Sequence, residues 1–184
     1  MVDPATCITS RCRNLGKHAS FCPMNDTPTP AAIFIMGHIS SGKTTLASHI
    51  ARTFGIEHIS SDGVRAEVGA SRTFTIFRSR VLWELYEKRS VVLDSTGMSP
   101  KLPRIVEDIR NQFRPRMAII QLYADWATWG RREAGRTDRE QLGQEVYHRD
   151  LHVKPDVMID TSSLDPQEVF CKAWSALLEL NALP

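Results

Sequence analysis

The sequence predicts an α/β fold, in which a doubly wound sheet of five parallel strands carries helices on both faces. Five short apolar segments alternate with longer stretches whose apolar residues recur every three to four positions, as on one face of a helix. This alternation is typical of parallel sheets, because each helix returns the chain across the sheet before the next strand begins. A length of 184 residues, of which 42% are hydrophobic, suits a single domain of this kind.

The strands are placed where apolar residues cluster between turn residues. They are predicted at residues 33–36, 56–60, 90–94, 117–123 and 156–160. Helices are predicted where apolar residues share one face, from about residue 43 to 54 and at 73–89, 100–113 and 166–180. Further helices are expected to begin near Gly63 and after Trp126. In such an arrangement the carboxyl ends of all strands lie at one edge of the sheet, which is where ligands bind.

Residues 1–30 differ in composition from the rest of the chain and are predicted to be an appendage and linker, followed by a domain over residues 31–184. Three of the four cysteines and four of the ten prolines fall in these first 30 residues. Cysteine and histidine are the usual ligands of structural zinc, so four side chains could form a tetrahedral Zn²⁺ site: Cys7, Cys12, His18 and Cys22. Their spacing is not a common zinc-finger pattern, and a tail with incidental cysteines explains the same residues.

Hydropathy and charge exclude several classes of protein. No apolar run approaches the roughly 18 residues that a membrane-spanning helix needs, so no membrane partner is expected. The first 30 residues contain no continuous apolar segment like that of a secretory signal, which predicts a reducing, cytoplasmic location. The net charge of +2 neither requires nor excludes a nucleic-acid partner.

The loop after the first strand has the composition of a phosphate-binding loop. Residues 37–45 read GHISSGKTT and fill the pattern GxxxxGK[ST] between a predicted strand and a predicted helix. Glycines let the backbone turn its N–H groups inward, and the start of the helix adds its positive dipole end. The residues predicted to bind ATP here are Gly37, His38, Ser40, Ser41, Gly42, Lys43, Thr44 and Thr45.

Two side chains of this loop have individual roles in the prediction. Lys43 would reach the β- and γ-phosphates of the triphosphate, and Thr44 would offer its hydroxyl group to Mg²⁺. The alternative is a chance match in a glycine- and serine-rich turn. The flanking strand and helix disfavour that alternative, because they supply the context that the motif requires.

Two charged residues follow the second strand, where a parallel sheet presents its loops to a ligand. Asp62 is a candidate general base that takes a proton from an attacking hydroxyl group. Arg65, one helical turn further on, is a candidate for binding an anionic group of the acceptor. The alternative is that Asp62 only caps the helix that begins near Gly63, a role that aspartate often has.

The third strand ends in Asp94, a carboxylate at the position that holds Mg²⁺ in many nucleotide-binding proteins, directly or through water. Arg104, in the first turn of the next helix, faces either the crevice or solvent and is a second candidate for binding the acceptor. Between residues 62 and 116 there are eleven Lys or Arg against seven Asp or Glu. This modest excess of positive charge favours an anionic acceptor.

The helix after the fourth strand carries several arginines and is predicted to form a lid over the nucleotide. Arg132 and Arg136 would share one face of this helix if it extends that far, whereas Gly135 suggests a looser flap. Their guanidinium groups could cover the transferring phosphoryl group, whose charge is spread over three oxygens. The alternative is a charged, solvated helix face, which is consistent with the neighbouring acidic residues Glu133, Asp138 and Glu140.

Together these motifs resemble those of the small P-loop kinases of the nucleoside monophosphate kinase superfamily, most closely the polynucleotide-kinase-like branch. The matching segments are GHISSGKTT, SSDGVR, VVLDSTG, the two lid arginines and DVMIDTS, spread over residues 31–180. The resemblance implies a P-loop kinase fold and gives Asp62, Arg65 and the lid arginines the roles described above. It also implies that the turn at Thr161 and Ser162 lies near the adenine of ATP.

The sequence therefore predicts an ATP- and Mg²⁺-dependent kinase that phosphorylates a hydroxyl group, with a nucleic-acid or nucleotide acceptor preferred. The resemblance suggests the 5′-hydroxyl of a polynucleotide or a hydroxymethyl base in phage DNA. A small-molecule kinase acting on a sugar, an antibiotic or a nucleoside monophosphate is the first alternative. A nucleotide-hydrolysing switch module is the second alternative. It is disfavoured because the sequence lacks the NKxD motif of GTPases, and because such a module would not need Asp62 and Arg65 after the second strand.

Overall fold

The structure, a computed structural model, describes residues 29–137 and 144–184. The four side chains predicted to bind zinc lie outside these residues, as does almost all of the predicted appendage. They are Cys7, Cys12, His18 and Cys22. The zinc site therefore stays a prediction, and the structure concerns the predicted domain.

Within the described residues, five strands form one parallel sheet, as the sequence predicted. They are β1 (Ala31–Gly37), β2 (Glu57–Ser60), β3 (Val91–Ser95), β4 (Arg116–Tyr123) and β5 (Val157–Asp160). Their order across the sheet is β2-β3-β1-β4-β5, which places β1 at the centre. All seven residues of β1 are buried. Because both faces of the sheet are covered, this strand is a continuous apolar run rather than an alternating one.

The same residues contain seven helices, which connect the strands. They are α1 (Lys43–Phe54), α2 (Ser61–Val68), α3 (Thr73–Tyr86), α4 (Leu102–Phe113), α5 (Trp126–Ala134), α6 (Gln144–Tyr147) and α7 (Pro166–Glu179). Every predicted helix is present, whereas the single turn of α6 was not predicted. No helix in the described ranges is long and apolar enough to cross a lipid bilayer.

Two apolar layers pack against opposite faces of the sheet. On one face, Ile33 and Ile35 of β1 form a buried cluster with residues of α1 and α7. On the other face, Phe34 and Met36 do the same with residues of α3 and α4. Successive side chains of a strand point to opposite faces, so β1 contributes to both layers. The removal of this apolar surface from water is the main force that stabilises the fold.

The chain turns in opposite directions after β1 and β3, which lie side by side. The loop after β1 leads through α1 to β2 at one edge of the sheet, and the loop after β3 leads through α4 to β4 on the other side. A crevice opens where two such loops diverge, and ligands of doubly wound sheets bind there. The predicted phosphate loop and Asp94 both lie at this place.

Candidate active site

The backbone of the phosphate loop, residues 37–42, requires glycine at both ends. Gly37 has a φ angle of 146°, and a Cβ atom there would lie 2.0 Å from the carbonyl oxygen of Leu122. Gly42 has a φ angle of 93° and precedes α1 as its N-cap, without a side-chain hydrogen bond to the helix. The first turn of α1 thus has no side chain capping its N–H groups, an arrangement that fits a bound phosphate.

Lys43 is held close to this loop. The residue is 7% exposed, and its Nζ atom donates a hydrogen bond to the carbonyl oxygen of His38 at 2.8 Å. The ammonium group therefore folds back over the loop instead of extending into solvent. A buried positive charge is costly without anionic or strongly polar partners, and the phosphates of a nucleotide would be such partners. The contacts of Lys43 with the β- and γ-phosphates stay a prediction.

Thr44 and Asp94 meet, as the prediction of a magnesium site requires. Oγ1 of Thr44 donates a hydrogen bond to Oδ2 of Asp94 at 2.6 Å, and Asp94 is 3% exposed. In the part of the chain that the structure describes, no group of three or more His, Cys, Asp or Glu side chains could hold a metal. The pair nevertheless fits Mg²⁺, because this ion usually takes one or two protein oxygens and completes its shell with phosphate oxygens and water.

His58 lies beside this pair and was missed by the sequence analysis. Its Nε2 atom is 3.7 Å from Oδ2 of Asp94, and its Nδ1 atom is 3.4 Å from Oγ of Ser48. The pairing of β2 with β3 places His58 beside Asp94, because His58 is in register with Val92, two residues before Asp94. A histidine in a four-residue strand carries no sequence signal for this position, because the neighbouring strand is identified only by the fold.

Asp62 lies in the first turn of α2 and is exposed. This helix begins at Ser61, not near Gly63, because Oγ of Ser60 accepts a hydrogen bond from the Gly63 N–H at 3.4 Å. Ser60 is therefore the cap, and the alternative interpretation of Asp62 as the cap is wrong. In the sheet, Ser60 of β2 is in register with Asp94 of β3. Asp62 thus follows the carboxyl end of β2, the strand that pairs with β3, which carries Asp94.

The two arginines predicted to bind the acceptor are both exposed. Arg65 lies in α2, three residues after Asp62, and therefore on the same side of that helix. Arg104 lies near the start of α4, the helix that follows β3. Both side chains belong to elements that begin at the carboxyl edge of the sheet, and their contacts with an acceptor stay a prediction.

A cavity of about 260 Å³ lies beside the phosphate loop. Its lining comprises residues of the loop, of α1, of α5 and of the segment around the start of α7: Ser40, Ser41, Gly42, Thr45, Leu46, Arg132, Thr161, Leu164, Pro166 and Val169. A mixed polar and apolar surface next to a phosphate loop suits the base and ribose of a nucleotide. Ser162, also predicted to lie near adenine, is not part of this lining, and its hydroxyl donates to Oδ1 of Asp160 at 2.5 Å.

Arg132 forms part of the wall of this cavity. Its guanidinium group donates to the hydroxyl of Thr161 at 2.9 Å and to the carbonyl oxygen of Thr161 at 2.7 Å. The Thr161 hydroxyl in turn lies 3.0 Å from the carbonyl oxygen of Tyr123 and 3.3 Å from that of Ser41. Arg132 therefore holds the turn after β5 by hydrogen bonds, and this turn also contacts the phosphate loop. Its predicted contact with the transferred phosphoryl group stays a prediction.

The end of α5 differs from the prediction. The helix stops at Ala134, so Arg136 lies beyond it and does not share a helix face with Arg132. The alternative of a solvated, charged face is wrong for Glu133, which is 3% exposed and accepts a hydrogen bond from Oγ of Ser40 at 2.8 Å. Arg136 is half-buried, and its backbone N–H donates to the carbonyl oxygen of Glu133 at 3.1 Å.

His38 connects the phosphate loop to α6. Its ring stacks on that of Tyr147 with ring centroids 5.5 Å apart, and the Tyr147 hydroxyl donates to the carbonyl oxygen of Ala124 at 3.0 Å. Burial lowers the pKa of His38 from its ordinary value, and the positive charge of Lys43 lowers it further. The ring is therefore neutral at pH 7, and Lys43 supplies the positive side-chain charge of this loop.

Protonation of His38 should oppose folding, because its pKa is lower in the folded protein than in the unfolded chain. Its neutral ring stabilises the fold fully above the unfolded value of 6.5, and this contribution is lost as the pH falls from there through the folded value. We expect the free energy of unfolding to decrease from about pH 7.5 to about pH 5.5, and to decrease less in His38→Gln. Urea unfolding of both proteins at both pH values measures the difference. If the free energy of unfolding depends equally on pH in the parent protein and in His38→Gln, the effect belongs to another titrating group.

A larger cleft, of about 600 Å³, runs along the outer edge of β2 between α2 and α3. From α2, it is lined by Gly63, Val64 and Glu67. On a helix with 3.6 residues per turn, Asp62 and Arg65 lie on the opposite face. The cleft is therefore not on the side of α2 that bears the candidate catalytic residues, and its size alone does not make it the acceptor site.

Comparison with proteins of known family relates the chain to kinases. A family profile described as an AAA domain matches residues 33–153, more than half of the chain. Shikimate kinase of Buchnera aphidicola subsp. Baizongia pistaciae (strain Bp) is 35% identical over 101 residues, which cover 49% of this chain. The chain spans 56% of the length of that curated relative, a little over half.

Solved kinase structures share the fold at low sequence identity. The Mycobacterium tuberculosis APS kinase in complex with AMPPNP and APS has a TM-score of 0.65 and 13% identity, over 83% of this chain and 99% of that one. A gluconokinase from Sinorhizobium meliloti 1021 has a TM-score of 0.60 and 16% identity, over 83% and 94%. Shikimate kinase from Acinetobacter baumannii in complex with shikimate has a TM-score of 0.53 and 19% identity, over 85% and 97%. At these identities the similarity establishes the fold, which is that of the small P-loop kinases.

Proposed function

The chain belongs to the AAA domain family, and from this premise we propose that it is an ATP- and Mg²⁺-dependent kinase that phosphorylates a hydroxyl group of a small molecule. One observation carries the proposal: the hydrogen bond between Thr44 and Asp94 at 2.6 Å, beside the buried Lys43 and one strand away from Asp62. The first three residues suit the phosphates of a nucleotide and its metal ion, and Asp62 adds a base for a second substrate. A module that only binds nucleotide has no need of that base.

A small-molecule acceptor is favoured over a nucleic acid, which reverses the preference drawn from the sequence. Proteins that share sequence or fold with this chain include a shikimate kinase, an APS kinase and a gluconokinase. None of these three is a polynucleotide kinase, and their similarity to this chain does not single out the polynucleotide-kinase-like branch. We therefore place the chain with the small-molecule kinases that share its fold.

The distribution of charge supports the same choice. The excess of Lys and Arg between residues 62 and 116 suggested an anionic acceptor, but several of these arginines are already paired. Ion pairs join Arg78 to Asp108, Arg80 to Glu67 and Arg89 to Glu84. Paired guanidinium groups are less available to bind the repeated phosphates of a nucleic acid, on which its affinity largely depends.

In the proposed reaction the hydroxyl oxygen of the acceptor attacks the γ-phosphorus of ATP, and the bond from that phosphorus to the β,γ-bridging oxygen breaks. Asp62 accepts the proton of the attacking hydroxyl group, so the products are ADP and a phosphate ester. Thr44 and Asp94 would hold Mg²⁺, which neutralises negative charge on the β- and γ-phosphates when it is bound. Lys43 orients the same phosphates and stabilises the charge that develops on them.

The two lid arginines receive different roles in this proposal. We assign Arg132 to the base and ribose side of the nucleotide, because its guanidinium group is bound to Thr161 in the wall of the cavity. Arg136 is the better candidate for the transferred phosphoryl group. It lies beyond the end of α5, whereas Arg132 would have to give up its two hydrogen bonds to Thr161 to reach the phosphoryl group.

Transfer of labelled γ-phosphate to a panel of acceptors tests the proposed function. The panel contains shikimate, gluconate, APS, an aminoglycoside, a 5′-hydroxyl oligonucleotide and hydroxymethylated DNA. We expect kcat/KM for at least one small acceptor to exceed that for either nucleic acid by at least about 100-fold, because a site that pairs with one set of hydroxyl groups rejects others strongly. Transfer to the oligonucleotide alone would restore the nucleic-acid acceptor, and acceptor-independent hydrolysis alone would favour a switch module.

A further inference from the structure

Glu133 is a buried carboxylate in contact with the phosphate loop. It is 3% exposed, and Oε2 accepts a hydrogen bond from Oγ of Ser40 at 2.8 Å. The two residues are 93 positions apart in the sequence. Burying a carboxylate next to a loop built to bind a polyanion is unfavourable in itself.

Ser40 has a backbone conformation that a non-glycine residue rarely adopts. Its φ angle is 63°, in the left-handed region, where the Cβ atom of an L-residue comes too close to the neighbouring backbone. Such a conformation persists only when surrounding contacts hold it. The hydrogen bond from its side chain to Glu133 is a contact of this kind, because it fixes the direction of the Ser40 side chain and hence the turn of the loop.

A parallel contact ties the next residue of the loop to the same helix. Arg132, adjacent to Glu133 in α5, binds Thr161, whose hydroxyl lies 3.3 Å from the carbonyl oxygen of Ser41. Two successive residues of α5 thus support two successive residues of the phosphate loop. The loop is thus in contact with α5 directly through Glu133 and indirectly through Arg132 and Thr161.

We propose that Glu133 is a positioning residue that holds Ser40 in its left-handed conformation and so keeps the phosphate loop in the shape that binds nucleotide. The proposal rests on the nucleotide-binding part of the proposed function and not on the identity of the acceptor. Glu133 itself does not touch the nucleotide in this account. It acts through Ser40, so its effect should depend on which residue occupies position 40.

The test compares variants at both positions by their dissociation constant for Mg·ATP, measured calorimetrically. Glu133→Ala should weaken binding by about 5- to 30-fold, because the lost hydrogen bond no longer offsets the cost of the left-handed conformation of Ser40. Glu133→Gln keeps an oxygen that can accept the Ser40 hydrogen bond, and it should remain within about threefold of the parent protein. Ser40→Ala should match Glu133→Ala, and combining the two should weaken binding no further.

The decisive variant is Ser40→Gly in the Glu133→Ala background. Glycine adopts a φ angle near +60° without strain, so it should recover most of the lost affinity, whereas Ser40→Ala in the same background should recover none. Equal affinity of the glycine and alanine double variants would overturn the proposal, as would a Glu133→Gln protein as weak as Glu133→Ala. If Glu133→Ala fails to fold by circular dichroism, Ser40→Gly and Ser40→Ala alone give the same comparison, with glycine expected to bind about tenfold more tightly.

The outcomes separate this proposal from the proposed function. Because the readout is nucleotide affinity, a protein that binds Mg·ATP with the expected order of variants but phosphorylates no acceptor would retain the role of Glu133 and refute the kinase. Phosphoryl transfer that is unaffected at positions 40 and 133 would retain the kinase and refute the role of Glu133.

Discussion

Replacing Lys43 with alanine should lower kcat by at least about 10²- to 10³-fold, the effect of removing one preorganised group that stabilises a developing negative charge. The Nζ atom lies over the loop at 2.8 Å from the carbonyl oxygen of His38. His38 itself is neutral at pH 7, because burial and Lys43 lower its pKa. Within residues 37–45, Lys43 is therefore the side chain that brings a positive charge to the phosphates. Phosphoryl transfer depends mostly on charges placed in this way.

Initial rates with labelled ATP and the best acceptor of the panel measure this effect. Lys43→Ala also removes a hydrogen bond of a buried charged group, worth about 1.5–3 kcal/mol, so thermal unfolding must show that the variant is folded at the assay temperature. Lys172→Ala is the matched control, because Lys172 is exposed on α7 and loses the same atoms. Transfer by Lys43→Ala at close to the parent rate would exclude the phosphate loop from the reaction.

The sheet could be predicted from the sequence because its central strand is buried on both faces. β1 is flanked by β3 and β4 and covered on each side by helices, so selection for burial acts on every residue, and the segment reads as an unbroken apolar run. The resemblance to small P-loop kinases is confirmed at the level of family and fold. By contrast, α6 spans four residues, which is about one turn, and a single turn cannot show the periodicity from which longer helices are recognised.

The site could be predicted where its residues are close in sequence or lie at strand ends. The phosphate loop is a local motif, and the meeting of Thr44 with Asp94 follows from two strand ends that a parallel sheet places together. Glu133 could not be predicted in the same way. A carboxylate that follows two consecutive arginines indicates a charged surface, and its partner Ser40 is brought near only by the three-dimensional structure.

The length of α5 shows the limit of the helical pattern itself. A spacing of four residues predicts that Arg132 and Arg136 share a face, yet the helix stops at Ala134. The glycine at position 135 is the sequence signal for this end, since glycine is common where helices terminate. The spacing and the glycine gave conflicting indications, and the glycine was correct.

Replacing Asp62 with asparagine should lower kcat about 10²- to 10⁴-fold, the range that a well-placed general base contributes, while the affinity for Mg·ATP changes little. Asparagine has nearly the same shape, but its amide cannot accept the proton of the acceptor hydroxyl group. The fold should tolerate the change. Asp62 is exposed, and the cap of α2 is made by Ser60 through its hydrogen bond with the Gly63 N–H.

Steady-state kinetics with both substrates, together with calorimetric binding of Mg·ATP, distinguish a base from a ligand of the metal ion. Loss of a base lowers kcat and kcat/KM for the acceptor together, whereas loss of a metal contact weakens Mg·ATP binding and is relieved by more Mg²⁺. Glu107→Gln, an exposed carboxylate on α4, is the matched control for the loss of charge. The two roles can be separated because Asp62 follows β2, one strand away from the pair formed by Thr44 and Asp94. We therefore expect a variant at position 62 to affect the predicted acceptor side of the crevice and to leave the predicted magnesium site intact. An unchanged kcat would place Asp62 outside the reaction.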